Sequence, residues 1–502
     1  MAATISSALK WWAQEIPDNE AVRIGDASIR YADLDRWASN IASFLVGKGI
    51  NRGDRIGVMG ASSIEQCALM FGVIRAGAIV SPLSTRLSER EICEFYQHVT
   101  PRIVFMDEDQ LGKHAGLADV VGWRLALQSI NALRDARYVA TDWEMDPEDA
   151  VGIIATSGST ARPKGVVFTH RSMLSYAAEF AIEEPFTGPG SHALALSPLS
   201  TSGGFVQLIE FVSLGATIYF EAGFDAERAL KLLECEKIAV FQGVPLFFER
   251  IAACPGFATA DLSRLKFTSV GGSRVPASLL DTWLKKGCLL RQIYGQTEAG
   301  GSSTIMSKRD AVKHPEKAGR GGIFTEVRVI NEQGEFLGPN ELGQIVLRGP
   351  TIMKGYWNDP EATAKTIVNG WLRTGDLGSV DENGYLSFVD RMKDIIISGG
   401  LNISAAEVER AIAEFEGVLE TAVIGAADAK FGETPLAIVH ATGVFDTAAL
   451  VAHCNRCLAD FKVPRYVVIE LEPLPRLATG KIAKPALRSK YLPLVASMER
   501  VR

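Results

Sequence analysis

The first third of the chain alternates between two apolar patterns, and this alternation limits the folds that are open to it. In residues 31–49 the apolar side chains recur about every 3.6 residues and a glycine follows them, which predicts a helix. The short apolar run of residues 54–60 predicts a strand, and residues 63–77 and 78–83 repeat the order of helix and strand. Strands that are separated by helices favour a parallel sheet with helices packed on it, so we expect an α/β fold.

The pattern changes near residue 320. Residues 326–338, 343–349 and 384–391 are short alternating runs separated by glycine, asparagine and aspartate, which predicts a β-rich subdomain. A chain of 502 residues is also too long for a single hydrophobic core. We therefore predict a large N-terminal domain of mixed and parallel sheets with helices and the β-rich subdomain, residues 1–392, and a small mobile α+β domain, residues 393–502.

The composition restricts the partners and the location of the protein. The net charge is −7, so a nucleic-acid partner has no bulk electrostatic support. No apolar run reaches the roughly 18 residues that are needed to span a bilayer. The first residues lack the apolar core of a signal peptide and predict an amphipathic helix ended by Pro17. Seven cysteines scattered along a large chain fit a reducing compartment, so we expect a cytoplasmic protein.

Cys454 and Cys457 form a lone CxxC next to His453. A structural zinc site needs four ligands, and the sequence offers no obvious fourth ligand at close spacing. We therefore interpret these cysteines as helix-surface or core residues.

Residues 156–165 read TSGSTARPKG and follow the apolar run of residues 151–155, which predicts a buried strand. Glycines that free backbone N–H groups, several hydroxyls and Lys164 are suited to holding phosphate oxygens. The spacing excludes the nucleotide-binding P-loop, because that motif places four residues between its glycine and Gly-Lys-[Ser/Thr]. The stretch by itself leaves a phosphate grip and a solvated turn equally open.

Six stretches together resemble the adenylate-forming superfamily, which contains acyl-CoA synthetases, non-ribosomal adenylation domains and luciferases. In chain order they are TSGSTARPKG at 156, SVGGS at 269, YGQTEAG at 294, GWLRTGDLG at 370, DRMKDIIISGGLNISAAEVE at 390 and PRLATGKIAK at 475. The resemblance covers nearly the whole chain. It implies that a carboxylic acid reacts with ATP to give an acyl-adenylate and pyrophosphate, and that a thiol then displaces AMP. ATP, Mg²⁺ and coenzyme A are the implied cofactors.

The resemblance also implies roles for residues of the nucleotide site. The loop over the β and γ phosphates comprises Thr156, Ser157, Gly158, Ser159, Thr160 and Lys164. The adenine and the rest of the nucleotide are lined by Gly271, Gly272, Ser273, Tyr294, Gly295 and Gln296, with Tyr294 stacked on the base. Thr297 contacts the α-phosphate, and Glu298 holds Mg²⁺ through a hard oxygen ligand. Asp376 accepts both ribose hydroxyls, and Arg391 joins it.

The remaining implied roles fall in the last quarter of the chain. Lys481 matches the catalytic lysine, whose cation offsets charge as the carboxylate meets the α-phosphate. Lys393 matches the hinge between the two domains. Gly399, Gly400 and Leu401 match the loop that lines the thiol tunnel.

Two departures from the family pattern stand out. Ala161 replaces the usual glycine of the phosphate loop, and its Cβ disfavours a left-handed backbone there. Ser200 and Thr201 replace an aromatic residue and a histidine that border the acyl pocket, so we expect a larger pocket without that titratable group. The predicted pocket residues are uncharged, which favours an acid with a neutral tail over a dicarboxylate. They are Ser200, Thr201, Gly204, Phe205, Gln207, Gly300 and Gly301.

The leading hypothesis is an acyl-CoA synthetase for a small or medium aliphatic or aromatic acid. No carrier-protein module follows Lys481, so free coenzyme A is the expected thiol. One alternative is an enzyme that loads a separate pantetheinylated carrier protein, and another is a non-catalytic nucleotide-binding homologue. A homodimer is also left open.

The predicted role of Lys481 can be tested by replacing it with alanine. Lys481→Ala is expected to abolish adenylate formation but to spare thioester formation from supplied acyl-adenylate, because the cation is needed only where two anions meet. The two half-reactions are measured separately, by pyrophosphate exchange and by thioester release. An equal loss of both would contradict this role.

Overall fold

The computed structural model describes residues 3–136, 145–156, 164–273, 275–399, 401–441, 445–477 and 481–502. The chain divides into two compact units, a first unit of Met1–Val327 with Val346–Arg373 and a second unit of Arg328–Ile345 with Thr374–Arg502. Both units combine helices with sheets, and the predicted α/β class is confirmed. The domain boundary that we predicted between residues 392 and 393 stays a prediction.

The helices and strands are numbered in chain order. The helices are α1 (Ile5–Glu15), α2 (Tyr31–Gly47), α3 (Ile64–Arg75), α4 (Glu89–Val99), α5 (Glu108–Lys113), α6 (His170–Glu183), α7 (Ser202–Ser213), α8 (Ala226–Cys235), α9 (Pro245–Ala252), α10 (Ala277–Lys285), α11 (Lys308–Lys313), α12 (Pro360–Thr366), α13 (Ala405–Ala413), α14 (Thr447–Cys457) and α15 (Lys484–Tyr491). The strands are β1 (Glu20–Ile24), β2 (Ala27–Arg30), β3 (Arg55–Met59), β4 (Ile79–Leu83), β5 (Ile103–Met106), β6 (Trp123–Ala126), β7 (Ala150–Thr156), β8 (Lys164–Thr169), β9 (His192–Ala195), β10 (Thr217–Phe220), β11 (Ile238–Gly243), β12 (Phe267–Gly271), β13 (Leu290–Ile293), β14 (Gly295–Gln296), β15 (Gly301–Ser302), β16 (Thr304–Ile305), β17 (Arg320–Gly321), β18 (Glu326–Ile330), β19 (Gly343–Arg348), β20 (Gly355–Tyr356), β21 (Ile367–Val368), β22 (Trp371–Val380), β23 (Leu386–Arg391), β24 (Ile395–Ser398), β25 (Leu401–Ser404), β26 (Val418–Asp428), β27 (Gly432–Ala441) and β28 (Tyr466–Glu470).

Two seven-stranded sheets form the framework of the first unit. One has the strand order β13-β12-β11-β9-β10-β1-β2, and its strands are parallel except for the β1–β2 hairpin. The other has the order β20-β8-β7-β4-β3-β5-β6, with antiparallel pairing only at β8 and its two neighbours. The helix–strand alternation of the first third of the chain is thus present as α2, β3, α3 and β4. The α-helix predicted before Pro17 is present as α1.

Two helices near the candidate site begin at side-chain caps. At the start of α6, the side chains of Thr169 and Ser172 each accept a hydrogen bond from the other residue's backbone N–H group, in a capping box. At the start of α7, Thr201 Oγ1 accepts a hydrogen bond from the N–H group of Gly204 at 3.3 Å. The Thr201 hydroxyl also donates to the carbonyl of Pro198 at 2.7 Å. Thr201 is therefore the residue that fixes where α7 begins.

The second unit contains a five-stranded sheet of its own. Its order is β25-β24-β27-β26, with β28 paired to β27. Apolar side chains of α13 and α14, such as Val408 and Leu450, form one core cluster with this sheet, and Leu487 of α15 belongs to a second cluster. Each sheet strand thereby buries side chains against helices, as an α+β arrangement requires. None of the helices in the described residues has the length and apolar character needed to cross a membrane.

The capping role of Thr201 generates a stability prediction. Thr201→Ala removes the acceptor for the Gly204 N–H group and is expected to lower the free energy of unfolding by about 1 kcal/mol. Thr201→Ser keeps the hydroxyl and serves as the control. Chemical denaturation followed by circular dichroism measures both variants. Indistinguishable unfolding of the two would show that the cap contributes nothing.

Candidate active site

The structure brings two of the predicted adenine motifs together through strand register. Strand β12 ends at Gly271, which pairs with Ile293 at the end of the parallel strand β13. Tyr294 follows Ile293 directly, and its side chain is buried. A Cβ on Gly271 would lie 2.5 Å from the carbonyl oxygen of Ile293, so only glycine allows this approach. Both motifs therefore meet at the carboxyl ends of neighbouring parallel strands, where open α/β sheets bind ligands.

The residues beside these strand ends differ in exposure and backbone geometry. Gly272 has a φ of 79° and turns the chain immediately after β12, and Ser273 is exposed. Gly295 and Gln296 form the short strand β14, where they pair with Ser302 and Gly301 of β15. This small hairpin keeps the backbone after Tyr294 extended beside the strand ends.

Glu298 is held in a 3₁₀ turn, Thr297–Ala299, and its carboxylate has a specific partner. Glu298 Oε1 accepts a hydrogen bond from the hydroxyl of Tyr356 at 3.0 Å. The backbone carbonyl of Glu298 accepts a second bond, from the N–H group of Met353 at 2.9 Å. Burial and then the nearby Glu298 charge raise the pKa of Tyr356, so this tyrosine stays a hydrogen-bond donor. The Glu298 carboxylate is thus fixed in direction by a neutral donor.

Lys164 contacts the ring of the same tyrosine, Tyr356. Its Nζ is 4.6 Å from the centre of the Tyr356 ring, which is within range of a cation–π contact. Lys164 also begins β8 and pairs with Thr156, the last residue of β7. Thr156 and Lys164 are therefore adjacent at the two ends of the predicted phosphate loop. The loop residues Ser157, Gly158, Ser159, Thr160 and Ala161 lie outside the described residues.

The predicted acyl-pocket residues occupy α7 and the turn after Glu298. Ser200 and Thr201 precede α7, and Gly204 and Phe205 are buried within it. The Phe205 ring stacks on Phe168 with 6.3 Å between ring centres. The fifth residue, Gln207, is also buried on α7. Phe205 thus packs within the core of the first unit.

Gly300 and Gly301 lie close to other parts of the first unit. Gly300 has a φ of 82° and ends the 3₁₀ turn. A Cβ on Gly301 would lie 3.2 Å from the ring of Tyr176 on α6, so the glycine allows that ring to pack against the backbone. The turn after Glu298 is therefore in direct contact with α6.

The two residues predicted to hold the ribose face each other in the second unit. Asp376 and Arg391 are cross-strand partners in the β22–β23 hairpin. Arg391 Nε lies 3.7 Å from Asp376 Oδ1, and the Asp376 side chain is only 9% exposed. The N–H group of Asp376 donates to Thr374 Oγ1 at 3.1 Å, which fixes the turn before it. A buried carboxylate that faces the ribose offers acceptor oxygens for its hydroxyl groups.

The predicted hinge residue is surrounded by other charges. Partial burial and then repulsion from Arg391 and Arg488 lower the pKa of Lys393. Its neighbour Asp394 forms an ion pair with Arg488 at 2.6 Å. Arg488 belongs to α15, so this pair ties the segment after β23 to the C-terminal helix of the second unit.

Two of the predicted thiol-tunnel residues, Gly399 and Leu401, follow β24 and begin β25, respectively. Gly399 has a φ of 57°, and its N–H group donates to the carbonyl of Phe431 at 2.7 Å. Leu401 is 49% exposed, although it is apolar. Gly400 lies outside the described residues.

Lys481 lies at the end of a short hairpin in the second unit. The N–H group of Leu477 donates to the carbonyl of Lys481 at 2.8 Å, and Arg476 bridges to Ile482. Glu420 of β26 anchors the hairpin, because it pairs with Arg476 at 2.6 Å and accepts from the N–H group of Leu474 at 2.7 Å. The lysine backbone is thus held by the sheet.

The cysteine motif of the sequence falls on α14. Cys454 is buried and Cys457 is exposed, in agreement with our interpretation of core and surface cysteines. One ligand atom from each of Glu414, His453 and Cys457 lies within 4.8 Å of the others. However, His453 Nε2 is 2.9 Å from the carbonyl of Ala411 and donates to it, which accounts for the histidine as a cap of α13.

The sequence did not indicate Tyr356, which contacts both Lys164 and Glu298. It also did not indicate Tyr176, Gln242, Ser269 and Ser303, which line a cavity near Gly301. Ser269 and Ser303 adjoin recognised motifs, so their polarity next to an apolar strand was an available signal. Tyr356 carried no such signal, because it lies 58 residues from Glu298 in a short edge strand.

Comparison with known proteins shows which family the chain matches. Residues 9–357 match the family described as AMP-binding enzyme, and residues 407–481 match the AMP-binding enzyme C-terminal domain. The chain therefore belongs to the AMP-binding enzyme family. The predicted adenylate-forming class, an AMP-forming acid–thiol ligase, is confirmed.

Individual relatives extend over nearly the whole chain. A feruloyl-CoA synthase from Amycolatopsis sp is 34% identical over 483 residues, which cover 95% of this chain and 97% of that enzyme. A long-chain fatty acid–CoA ligase from Mycobacterium tuberculosis is 33% identical, over 93% of this chain and 94% of its own. The crystal structure of ATP-bound MatB from Rhodopseudomonas palustris superposes with a TM-score of 0.89 at 28% identity, over 98% of this chain and 99% of that one.

The contact between Tyr356 and Glu298 generates a prediction about the metal requirement. If Glu298 holds Mg²⁺, Tyr356→Phe leaves its carboxylate without a fixed direction, and the Mg²⁺ concentration for half-maximal activity is expected to rise roughly tenfold. Initial rates at varied Mg²⁺ and saturating ATP measure the effect. Tyr219→Phe is the matched control, since Tyr219 also donates to a glutamate, Glu236, at 3.1 Å. Equal behaviour of the two variants would count against a metal role for Glu298.

Proposed function

We propose that this acid–CoA ligase activates a small or medium organic acid with an uncharged tail, by the residue roles given below. In the first half-reaction a carboxylate oxygen attacks the α-phosphorus of ATP, and the bond to the β-phosphate breaks to release pyrophosphate. In the second, the thiolate of coenzyme A attacks the acyl carbon and AMP leaves. The protein contributes mainly by positioning the reactants and by stabilising phosphate charge.

The contact chain from Lys164 through Tyr356 to Glu298 is the observation that carries the proposal. The cation of Lys164 lies at the end of the phosphate loop, and the carboxylate of Glu298 lies in the turn after the adenine motif. Tyr356 is in contact with both. A triphosphate needs cationic groups, and its bound cation needs oxygen ligands. We assign Lys164 and the loop residues from Thr156 to the β and γ phosphates and Thr297 to the α-phosphate.

The oxygen atoms at this turn fit a magnesium ion. The carboxylate of Glu298 and the hydroxyl of Thr297 are hard donors on consecutive residues, and no thiol or imidazole accompanies them in the turn Thr297–Ala299. We assign Glu298 as the ligand. When bound, the ion would neutralise phosphate charge that opposes attack by a carboxylate.

We assign the other nucleotide contacts to the adenine motifs and to the β22–β23 hairpin. Tyr294 with the Gly271–Ser273 turn holds the adenine, because small residues there let a flat base approach the backbone. Asp376 accepts the ribose hydroxyls, and Arg391 accompanies it, with its Nε 3.7 Å from Asp376 Oδ1. Gly295 and Gln296 line the same nucleotide.

We assign the transfer of the acyl group to residues of the second unit. Lys481 neutralises the carboxylate and the α-phosphate as they meet, and Glu420 steadies the hairpin that carries it. The turn of Gly399, Gly400 and Leu401 lines the path of the thiol, and Lys393 acts as the hinge.

The acid is expected to carry no second negative charge. The relatives include enzymes named for ferulate and for long-chain fatty acids, which points to an aromatic or aliphatic tail here. Coenzyme A is preferred over a carrier protein as the thiol, because these relatives are named for coenzyme A products. We also propose a cytoplasmic location, which the seven free cysteines support, and leave a homodimer open.

This proposal can be tested by an acid panel with two thiol acceptors. ATP–pyrophosphate exchange is expected with neutral-tailed aliphatic or aromatic acids and at least about tenfold less with dicarboxylic acids of equal length. Coenzyme A should support AMP release, whereas a pantetheinylated carrier protein should not. Asp376→Asn, which halves the acceptor capacity for the ribose, is expected to raise the KM for ATP about tenfold.

Two results would overturn the proposal, and a third would remove one residue assignment. The absence of exchange with every acid would favour a non-catalytic homologue. Preferential loading of the carrier protein would favour the second alternative. An unchanged KM for ATP in Asp376→Asn would remove the ribose assignment alone.

A further inference from the structure

A cavity lies beside the segment that follows Gly301, and we name it the tail cavity. Its volume is about 40 Å³, which is enough for a small polar group or a water molecule. Its walls include Tyr176 on α6, Gln242 at the end of β11, Ser269 on β12, and Ser302 with Ser303. All of these residues belong to the first unit.

The tail cavity adjoins the residues that we assign to the nucleotide and the acid. The carbonyl of Tyr294 accepts a hydrogen bond from the N–H group of Ser303 at 2.7 Å. The ring of Tyr176 packs against Gly301, where a Cβ would come within 3.2 Å. An acid whose carboxyl group lies beside Thr297 can therefore extend its tail past Gly301 toward this cavity.

Two buried polar atoms on the wall of the cavity have no hydrogen-bond partner within the described ranges. They are the hydroxyls of Ser269 and Ser303, whose residues are 1% and 2% exposed. Gln207 does not line the cavity, but its amide nitrogen donates to the lining residue Gln242 at 3.4 Å. Buried polar groups in folded proteins are nearly always paired, because an unpaired one forfeits its bonds to water. Two unpaired serine hydroxyls on the wall of one cavity indicate a ligand that supplies the missing bonds.

The charges around the cavity exclude an anionic ligand. Its wall contains three glutamates and neither a lysine nor an arginine. Glu179 accepts from the N–H groups of Phe324 and Thr325, and Glu184 forms an ion pair with Arg291. Burial and then the charge of Glu179 raise the pKa of Glu183, which shows how poorly this wall tolerates further negative charge.

A hydroxyl group satisfies all of these conditions. It is uncharged, and it can donate to one of the two serine hydroxyls while it accepts from the other. An alkyl tail would leave both buried serine hydroxyls unpaired.

We propose that the tail cavity binds a hydroxyl group at the far end of the acid, so that this ligase selects hydroxylated acids over their unhydroxylated analogues. This inference rests on the proposed function and narrows its substrate class. Ser269 and Ser303 set the specificity, whereas the residues assigned to the nucleotide carry out activation of either kind of acid.

The test compares acids that differ only by the hydroxyl group. Suitable pairs are 4-hydroxycinnamate with cinnamate, 3-(4-hydroxyphenyl)propanoate with 3-phenylpropanoate, and 8-hydroxyoctanoate with octanoate. For each pair, kcat/KM is obtained from pyrophosphate release with saturating ATP and coenzyme A. In at least one pair, the hydroxylated acid is expected to be favoured about tenfold or more.

Variants of the cavity serines then locate the origin of this preference. Ser269→Ala and Ser303→Ala are each expected to reduce the preference to about threefold or less, mainly through the hydroxylated acid, because only that acid loses a partner. Ser81→Ala is the matched control, since Ser81 is also a buried serine whose hydroxyl lacks a partner in the described part of the chain, but it lies on β4 and does not line the cavity. It is expected to keep the full preference.

The outcomes separate this inference from the proposed function. Turnover of both members of every pair at equal kcat/KM would overturn the inference and leave the ligase activity standing. A dicarboxylic acid as the best substrate would overturn it as well. Failure of every acid would instead reject the proposed function. The comparison of paired acids uses the unaltered protein, so it tests the preference for hydroxylated acids even if a serine variant does not fold.

Discussion

The parallel register of β12 and β13 is the constraint on which the candidate site of the first unit depends. Gly271 pairs with Ile293, so the chain leaves both strands at the same edge of the sheet. The turn after β12 and the YGQTEAG motif after β13 are consequently neighbours, although 22 positions separate Gly271 from Ile293 in the chain. A side chain at position 271 would meet the carbonyl of Ile293 and push the strand ends apart. The site thus requires glycine at position 271 as well as the polar groups nearby.

Tyr356 connects the turn that contains Glu298 to the second sheet of the first unit. It lies on β20, which pairs with β8, the strand that begins at Lys164. Its hydroxyl points to the Glu298 carboxylate and its ring faces the lysine ammonium. One aromatic side chain therefore contacts a cation from the first of the six motifs and an anion from the third. Because its pKa is raised, it does so without adding a charge of its own.

The sequence was sufficient to predict a feature where the pattern that specifies it lies within a continuous stretch of the chain. The α/β class and the early alternation of α2, β3, α3 and β4 are of this kind, since the apolar period predicts them. The association of Arg391 with Asp376, which are cross-strand partners in the structure, came from the family resemblance. Contacts between distant segments were not predictable, because nothing in the local pattern specifies a partner. Tyr356 and Tyr176 are examples: each is an ordinary tyrosine until the fold sets it against Glu298 or Gly301.

Thr201 shows how a departure from a family pattern can be accommodated. The resemblance places a histidine at this position, and we expected its replacement to act through the size of the acyl pocket. In the structure the threonine hydroxyl caps α7 and bonds back to Pro198, so the residue has a local role that a histidine would not fill in the same way. The expected effect on the size of the acyl pocket stays a prediction. Gln207 lies on the same helix, six residues after the cap, and its amide nitrogen donates to Gln242 of the cavity wall. The helix that begins after Thr201 is therefore linked to the tail cavity through this hydrogen bond.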